Sequence, residues 1–308
     1  MTGIAQRRPA VLIGLIGEGV TPSLTPPMHE LEGARHGMSY VYRTVDLSRG
    51  QGTEEHVRSL FDAARRLGFT GLNITHPIKQ TAIGLLDELS ENARRVGAVN
   101  TVVFEGDRTV GHNTDITGFA EAFADELDDV ARDAVVLVGA GGAGSAVATA
   151  LRGLGVGELI IVDQDAERAD ALARTVAART SGGAIRAASL DDLPALLARV
   201  DGVVNATPLG MAAHPGTAFD VSLLHERLFV VDIVYRPVET ALLAAARARG
   251  CRVMSGLGMA MHQAADAFEI FTQEPADRRA MLADLENLVA AEAAGALAPV
   301  ATLRGEKQ

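Results

Sequence analysis

AVVLVGAGGAGSAVATAL, residues 134–151, decides the fold. An apolar run enters Gly139-Ala140-Gly141-Gly142-Ala143-Gly144 and leaves in an uncharged segment. The stretch has the length of a short membrane span, but four glycines packed into one turn suit a strand, a turn and a helix better. Each glycine of G-x-G-x-x-G has a physical task. The first permits the tight turn, the second lets backbone approach a pyrophosphate, and the third allows helix and strand to pack closely. The helix N-terminus adds N–H groups and the positive end of its dipole. A carboxylate, Asp163, follows nineteen positions after Gly144, where the second strand of a dinucleotide-binding unit ends. It closes the aliphatic run LIIV (159–162) and is followed by Gln164 and Asp165.

Outward from this unit, strands are predicted at 134–140, 158–163, 184–190, 202–207, 229–235 and 252–256, with short helical segments between them. That alternation is the signature of a doubly wound parallel sheet. With ITGFAEAFADEL (116–127) as a connecting helix, it gives a Rossmann domain over 116–258. Upstream, strands at 11–17, 40–47 and 71–76 alternate with helices at 25–37, 53–68 and 78–90, and a hairpin at 98–113 turns on Gly106-Asp107. This predicts a small α/β domain over 1–115. Two helices, 259–272 and 275–295, come after the parallel sheet is complete and are expected to pack back across that first domain. Residues 296–308 lack periodicity and are predicted to be a flexible tail.

The chain of 308 residues is long enough for two cores, and its 48% hydrophobic and 22% charged residues describe a globular protein. A formal net charge of −11 argues against a protein that tracks nucleic-acid phosphates. Three tyrosines and no tryptophan argue against base stacking. A single cysteine, Cys251, cannot form an internal disulfide, which fits a cytoplasmic protein. Arg7-Arg8 followed by PAVLIGLIG mimics a signal peptide, yet Glu18 interrupts the run and no A-x-A site follows, so a first strand is expected. No membrane segment is expected. Neither is a metal site, since the eight histidines are scattered without H-E-x-x-H spacing. His76 is expected to pack in a cleft wall. Internal repeats are not visible.

The first domain is not needed for a dinucleotide, so it is expected to hold a substrate. Its polar residues gather in four stretches: Ser23-Leu24-Thr25-Pro26, Asn73-Ile74-Thr75-His76-Pro77-Ile78-Lys79, Ala98-Val99-Asn100-Thr101 and Gly111-His112-Asn113-Thr114-Asp115. Singly, each has an ordinary explanation. Ser23 or Thr25 caps a helix, Lys79 is solvated, and Asn100 satisfies a turn.

Together and in order, they resemble the shikimate dehydrogenase family. The motifs S-x-[ST]-P, N-x-T-x-P-x-K, A-x-N-T, N-T-D-x-x-G, GAGGAG, N-A-T-P-x-G-M (Asn205 to Met211) and M-x-x-H-Q (Met259 to Gln263) all occur, spanning about residues 11–272. The resemblance implies a substrate domain completed by the C-terminal helices, a Rossmann domain, and an active site in the cleft between them. It also implies reversible hydride transfer between a nicotinamide and the ring alcohol of shikimate or quinate, in a monomer or homodimer. By the same resemblance, Lys79 and Asp115 match the catalytic pair, and Ser23 and Thr25 the hydroxyls that bind the substrate carboxylate. Thr75, Asn100 and Gln263 match contacts to ring hydroxyls, and Tyr235 a second contact near the carboxylate. Thr207, Ile233 and Gly256 match the cofactor side, the last two flanking the nicotinamide. The chemistry fits, because oxidising a secondary alcohol sends hydride from carbon and a proton from oxygen. A lysine serves as base only if desolvation brings its pKa toward neutrality, and an adjacent carboxylate opposes that, so Lys79/Asp115 is treated as one coupled dyad.

Two departures from the commonest biosynthetic pattern bear on the cofactor. That pattern has N-R-T-x-x-R after the second Rossmann strand, where this chain has Asp163-Gln164-Asp165-x-x-Arg168. Asp163 can accept from both adenosine ribose hydroxyls, and its charge repels a 2′-phosphate, so NAD is expected. Arg168 is the one residue that favours NADP. The pattern also usually has S-x-S, where this chain has Ser23-x-Thr25. Members with an acid and a threonine at these places resemble NAD-dependent quinate/shikimate dehydrogenases. A re-aimed hydroxyl and one added methyl change discrimination by roughly 1–3 kcal/mol, so both acids are expected as substrates. The alternatives are an NADP-dependent biosynthetic shikimate dehydrogenase or an inactive quinate sensor, although a sensor has no need of the dyad. A tetrahydrofolate-type dehydrogenase of similar plan leaves the Ser23/Thr25 pair and Gln263 unexplained.

Overall fold

The computed structural model describes residues 10–296. The expectation for the tail at 296–308 therefore lies, but for its first residue, outside the described residues. Six strands, β1 (Ala10–Gly17), β2 (Ser39–Asp46), β3 (Gly71–Ile74), β4 (Glu88–Leu89), β5 (Thr101–Glu105) and β6 (Arg108–His112), make one sheet in the order β2-β1-β3-β5-β6-β4. The β2, β1 and β3 strands run parallel, and the β5–β6 hairpin turns the sheet antiparallel. Alternation along β1 sends Val11, Ile13 and Leu15 to one core and Ile16 to the other, so both faces are covered. Helices α1 (Thr25–Arg35) and α2 (Glu54–Arg66) connect the parallel strands, and Thr53 caps α2 by accepting from the His56 N–H.

The second sheet holds β7 (Ala134–Val138), β8 (Glu158–Val162), β9 (Ala184–Ala188), β10 (Gly202–Asn205), β11 (Phe229–Asp232) and β12 (Arg252–Ser255). All are parallel, in the order β12-β11-β10-β7-β8-β9, which in strand sequence is the 3-2-1-4-5-6 order of a dinucleotide-binding sheet. Val135 and Leu137 face one core, Val136 and Val138 the other. The continuous apolar character of 134–138 thus reflects burial on both faces.

Helix α4 (Asp115–Leu127) leaves the first sheet, and α9 (Gly256–Thr272) leaves the second and returns to the first. The two helices pack along each other, and Gly118 is the point of closest approach. A β-carbon there would lie 2.8 Å from the Gln263 nitrogen. The far end of α9 places Phe268 and Phe271 among Val11, Ile13, Tyr40 and Tyr42 of the first sheet. Burying Phe268 fully contributes about 3 kcal/mol by transfer alone. The last helix, α10 (Arg278–Ala293), packs on α1 and α9.

The structure corrects the helix expected over 78–90. Residues Thr81–Leu85 form one 3₁₀ turn, Glu88–Leu89 pairs with β6, and Ser90 caps a separate helix, α3 (Glu91–Val96). Gly84 weakens a helix here, and Asp87 is drawn to the neighbouring strand, accepting from the Thr109 N–H at 2.7 Å and its hydroxyl at 2.8 Å. No helix among the described residues is long and apolar enough to cross a membrane.

Candidate active site

Lys79 follows β3, and Asp115 opens α4. The fold brings them together across 36 residues, Lys79 Nζ donating to Asp115 Oδ2 at 2.7 Å. Both side chains are largely shielded, at 19% and 12% exposure, so their attraction is weakly screened. The other oxygen, Asp115 Oδ1, accepts from Asn100 Nδ2 at 3.0 Å.

Asn100 is fixed in turn by a buried lattice. Its Oδ1 accepts from the Thr114 N–H at 2.9 Å and from the Thr101 hydroxyl at 3.0 Å. Both acceptances require oxygen at that position, so the amide nitrogen must face Asp115 and the Thr114 hydroxyl. Asn73 Nδ2 donates to Thr101 Oγ1 and the Asn100 carbonyl, and Tyr42 donates to Asn73 Oδ1. Every amide atom of Asn73 and Asn100 is thus paired inside the protein. Asn100 holds Asp115 directly, a role beyond the ring-hydroxyl contact that the motif implied.

Thr75 is half-buried just past β3, with its methyl against Gly17, where a β-carbon would lie 2.3 Å away. Ser23 Oγ accepts from the Thr25 N–H at 3.2 Å, so its proton is free to be donated elsewhere. Leu24, not Ser23 or Thr25, occupies the cap position of α1, and no side chain caps it. Asp46 steadies the preceding loop by accepting from Gly19, Thr21 and the Thr21 hydroxyl, bonds that hold its carboxyl below its ordinary range. Gln263 lies on α9 with its amide nitrogen donating to its own helix at the Ala260 carbonyl. His262 beside it ties α9 to α4 through Asp125 at 2.9 Å. His76 is exposed.

At the dinucleotide turn, Gly139 has φ +108°, a conformation side-chain-bearing residues avoid. A β-carbon on Gly144 would sit 2.1 Å from the Gly139 carbonyl oxygen, so α5 (Gly142–Gly153) can pack this closely only with glycine there. By contrast, Gly141 and Gly142 face open space, room that a pyrophosphate at the helix N-terminus would fill. Ala140 and Ala143 lie in the same turn. Asp163, just past β8, accepts from the Ala140 N–H at 2.7 Å and the Asp165 N–H at 2.9 Å, which locks its carboxylate beside the turn. Arg168 lies 3.9 Å from Asp163 and 3.7 Å from Asp165, half-exposed. Asp165 caps α6 (Ala166–Arg179) by accepting from the Glu167 and Arg168 N–H groups.

On the opposite wall, Thr207 is fixed by Asn205, whose Oδ1 accepts from its N–H and hydroxyl. Asn205 donates in turn to buried Asp232, which also accepts from Thr240 and whose pKa burial raises. Gly256 lies against Ile233, where a β-carbon would come within 2.0 Å of the Ile233 carbonyl oxygen. The support residues Tyr42 and Asp232 were not singled out from sequence, and Thr101 entered only as the last residue of A-x-N-T. Asp232 carried a signal, an acid ending the apolar run FVV, whereas Tyr42 sits in an unremarkable alternating strand.

Comparison with known proteins places this architecture. Residues 15–102 match the shikimate dehydrogenase substrate binding domain, 121–249 the shikimate / quinate 5-dehydrogenase family and 256–286 the shikimate 5'-dehydrogenase C-terminal domain. The chain is 52% identical to a shikimate dehydrogenase (NADP(+)) of Pseudarthrobacter chlorophenolicus over 94% of its length and 99% of that protein's. It is 50% identical to a quinate/shikimate dehydrogenase (NAD(+)) of Corynebacterium glutamicum over 85% of its length and 93% of the relative's. The structure of quinate dehydrogenase from Corynebacterium glutamicum in complex with NAD superposes with a TM-score of 0.86 at 48% identity, covering 91% of this chain and all of that one. The chain belongs to the shikimate dehydrogenase family.

Proposed function

We propose that the protein oxidises the ring secondary alcohol of both quinate and shikimate reversibly, with NAD as the hydride acceptor. The observation that carries this reading is Asp163, a carboxylate locked at the end of β8 beside the glycine turn. Two N–H donors fix it there, leaving its outer lone pairs to accept from ribose hydroxyls. A 2′-phosphate at that place would meet its negative charge. Arg168, the residue best able to offset that charge, is shared between Asp163 and Asp165. Sequence similarity does not decide the matter, since relatives named for NADP and for NAD are 52% and 50% identical. Arg168 and the first of these relatives favour the competing reading, an NADP-linked shikimate dehydrogenase.

In this reading residues 1–115 with 259–295 hold the ring acid, and 116–258 hold the dinucleotide across the cleft. Gly139, Ala140, Gly141, Gly142, Ala143 and Gly144 cradle the pyrophosphate, and Thr207, Ile233 and Gly256 line the nicotinamide end. Bound NAD supplies the hydride acceptor. Ser23, Thr25 and Tyr235 hold the carboxylate, and Thr75 and Gln263 orient the ring directly and Asn100 through Asp115, with the Gln263 amide turning from its helix to do so. Lys79 and Asp115 take the hydroxyl proton as one unit, because they meet at 2.7 Å and act at one place. Initial rates with quinate and shikimate, each against NAD and NADP, test the reading. NAD is expected to be preferred with both acids, and an NADP preference of about tenfold, worth about 1.4 kcal/mol, overturns it.

A further inference from the structure

Arg236 lies in none of the recognised motifs, yet it adjoins Tyr235 in the chain and bonds the residue before Ser23, two of the three residues assigned above to the substrate carboxylate. It follows Tyr235 in the loop after β11, on the cofactor side of the cleft. Its Nη1 donates to the Pro22 carbonyl at 2.9 Å, immediately before Ser23 and 214 residues away in the chain. Its Nε donates to Glu292 Oε2 at 2.7 Å, and its Nη2 bonds the other oxygen of the same carboxylate, on α10. One planar fork therefore joins three segments: the Ser23 loop, the Tyr235 loop and the last helix. Beneath it, Tyr235 and Val238 pack with Leu24, Met28 and Leu257, so the ion pair sits on an apolar bed that fixes its position.

The donor inventory gives this arrangement a direction. A guanidinium has no acceptor, so Arg236 cannot take up the phenolic proton of the adjacent Tyr235, which is left to point elsewhere. Ser23 is in the same condition, since its oxygen accepts from the Thr25 N–H. Both hydroxyls are left with a free proton, the requirement for a pair that holds a carboxylate. Arg236 itself brings no net charge, because Glu292 neutralises it through two parallel bonds.

We propose that Arg236, buttressed by Glu292, is a positioning residue that clasps the Ser23 and Tyr235 loops together and sets both hydroxyls as donors to the substrate carboxylate. The inference rests on the ring-acid reading given above. It makes the Arg236–Glu292 pair a determinant of acid recognition through geometry and not through attraction.

The test compares Arg236→Ala, Arg236→Lys and Glu292→Gln with the unaltered enzyme, varying the ring acid at saturating NAD and NAD at saturating acid. Arg236→Ala is expected to raise KM for quinate and shikimate about tenfold or more, while kcat and KM for NAD change less than about threefold. Arg236→Lys should recover part of the loss, since an ammonium reaches one partner but cannot span three. Glu292→Gln separates geometry from charge. A clasp predicts that KM for the acid rises, whereas attraction by a now uncompensated arginine predicts that it falls, and a fall overturns the proposal. So does a KM within about twofold of the unaltered enzyme in Arg236→Ala, or a parallel rise in KM for NAD. Hydrogen exchange in peptides covering 17–25 and 233–240 reads the clasp without any substrate. Arg236→Ala should speed exchange in both peptides together, and unchanged exchange overturns the clasp. If the unaltered enzyme turns over neither acid, the substrate reading fails by itself, and the exchange comparison still decides whether the clasp exists.

Discussion

Replacing Asn100 with leucine, a side chain of similar shape without polar atoms, isolates what its amide does. Asn100 is 4% exposed and makes four side-chain bonds: to the Thr114 hydroxyl at 2.8 Å, Asp115 at 3.0 Å, the Thr114 N–H at 2.9 Å and the Thr101 hydroxyl at 3.0 Å. The Thr101 hydroxyl, which donates to Asn100, can rotate toward another acceptor, and the Thr114 hydroxyl, which accepts from Asn100, keeps its own proton to donate. The Thr114 N–H cannot turn, and leaving that buried donor unpaired costs about 1–3 kcal/mol. The bond to the Asp115 carboxylate is charge-assisted and contributes about 1.5–3 kcal/mol. Together Asn100→Leu should cost about 3–5 kcal/mol, which lowers Tm by roughly 6–15 °C in a chain of this size. With Asp115 held on one oxygen only, kcat should fall about 100-fold, the penalty expected when a catalytic group is misplaced by about an ångström. Asn100→Ala should be the milder change. It opens a small polar hole in which one water can satisfy Thr114 and Asp115, reversing the usual order in which alanine is worse than a space-filling residue. Thermal melts and steady-state rates on both variants check this. A leucine variant within about 2 °C and threefold of the original, or one milder than alanine, would refute the reasoning.

Lys79→Ala should lower kcat by about 10³-fold or more with a far smaller change in substrate KM, because the side chain is assigned to proton transfer; near-normal turnover removes it from the mechanism. Asp163→Asn should move the NAD/NADP preference toward NADP by about tenfold or more. It should also cost about 1–2 kcal/mol, since an amide must turn its NH₂ toward either the Ala140 or the Asp165 N–H. An unchanged cofactor ratio would detach Asp163 from the ribose. His29 is fully buried, and burial alone depresses its pKa from 6.5 to about 3. The unfolded chain therefore takes up a proton below pH 6.5 that the fold refuses, and stability falls as pH drops, by about 1.4 kcal/mol per unit. At pH 4.5 the loss reaches about 3 kcal/mol. Urea melts of His29→Leu at pH 7 and 4.5 should show that much less acid sensitivity than the original protein, and equal sensitivity would overturn the assignment.

Much of the fold was legible because local rules and global architecture agree. Residues 134–163 state a βαβ unit through glycine spacing, apolar run and terminal acid, and the sheet places them as β7, α5 and β8. The segment at 78–90 misled because its periodicity suits a helix, while Asp87 and Glu88–Leu89 find better partners across the hairpin. No local pattern announces a bond to a strand 22 residues away. The candidate site divides in the same way. Lys79, Asp115 and Asn100 are named by their motifs, but the motif leaves Asn100 as a turn residue or a ring contact, and only its four partners make it a brace for Asp115.

The order of amino acids alone sets the chemistry available: which side chains can donate, accept or carry charge, the backbone freedom at Gly139 and the absent β-carbon at Gly144 that a dinucleotide turn requires. Tertiary structure decided which way those groups point. Tyr42 fixes Asn73, Asn73 holds Thr101 and the Asn100 carbonyl, Asn100 holds Asp115, and Arg236 reaches Pro22 from the Rossmann half, all through contacts between residues distant in the chain. Hydrogen bonds act over about 3 Å whatever the sequence separation, so the orientation of a buried amide or hydroxyl is a property of the packed molecule and cannot be read from its neighbours in the chain.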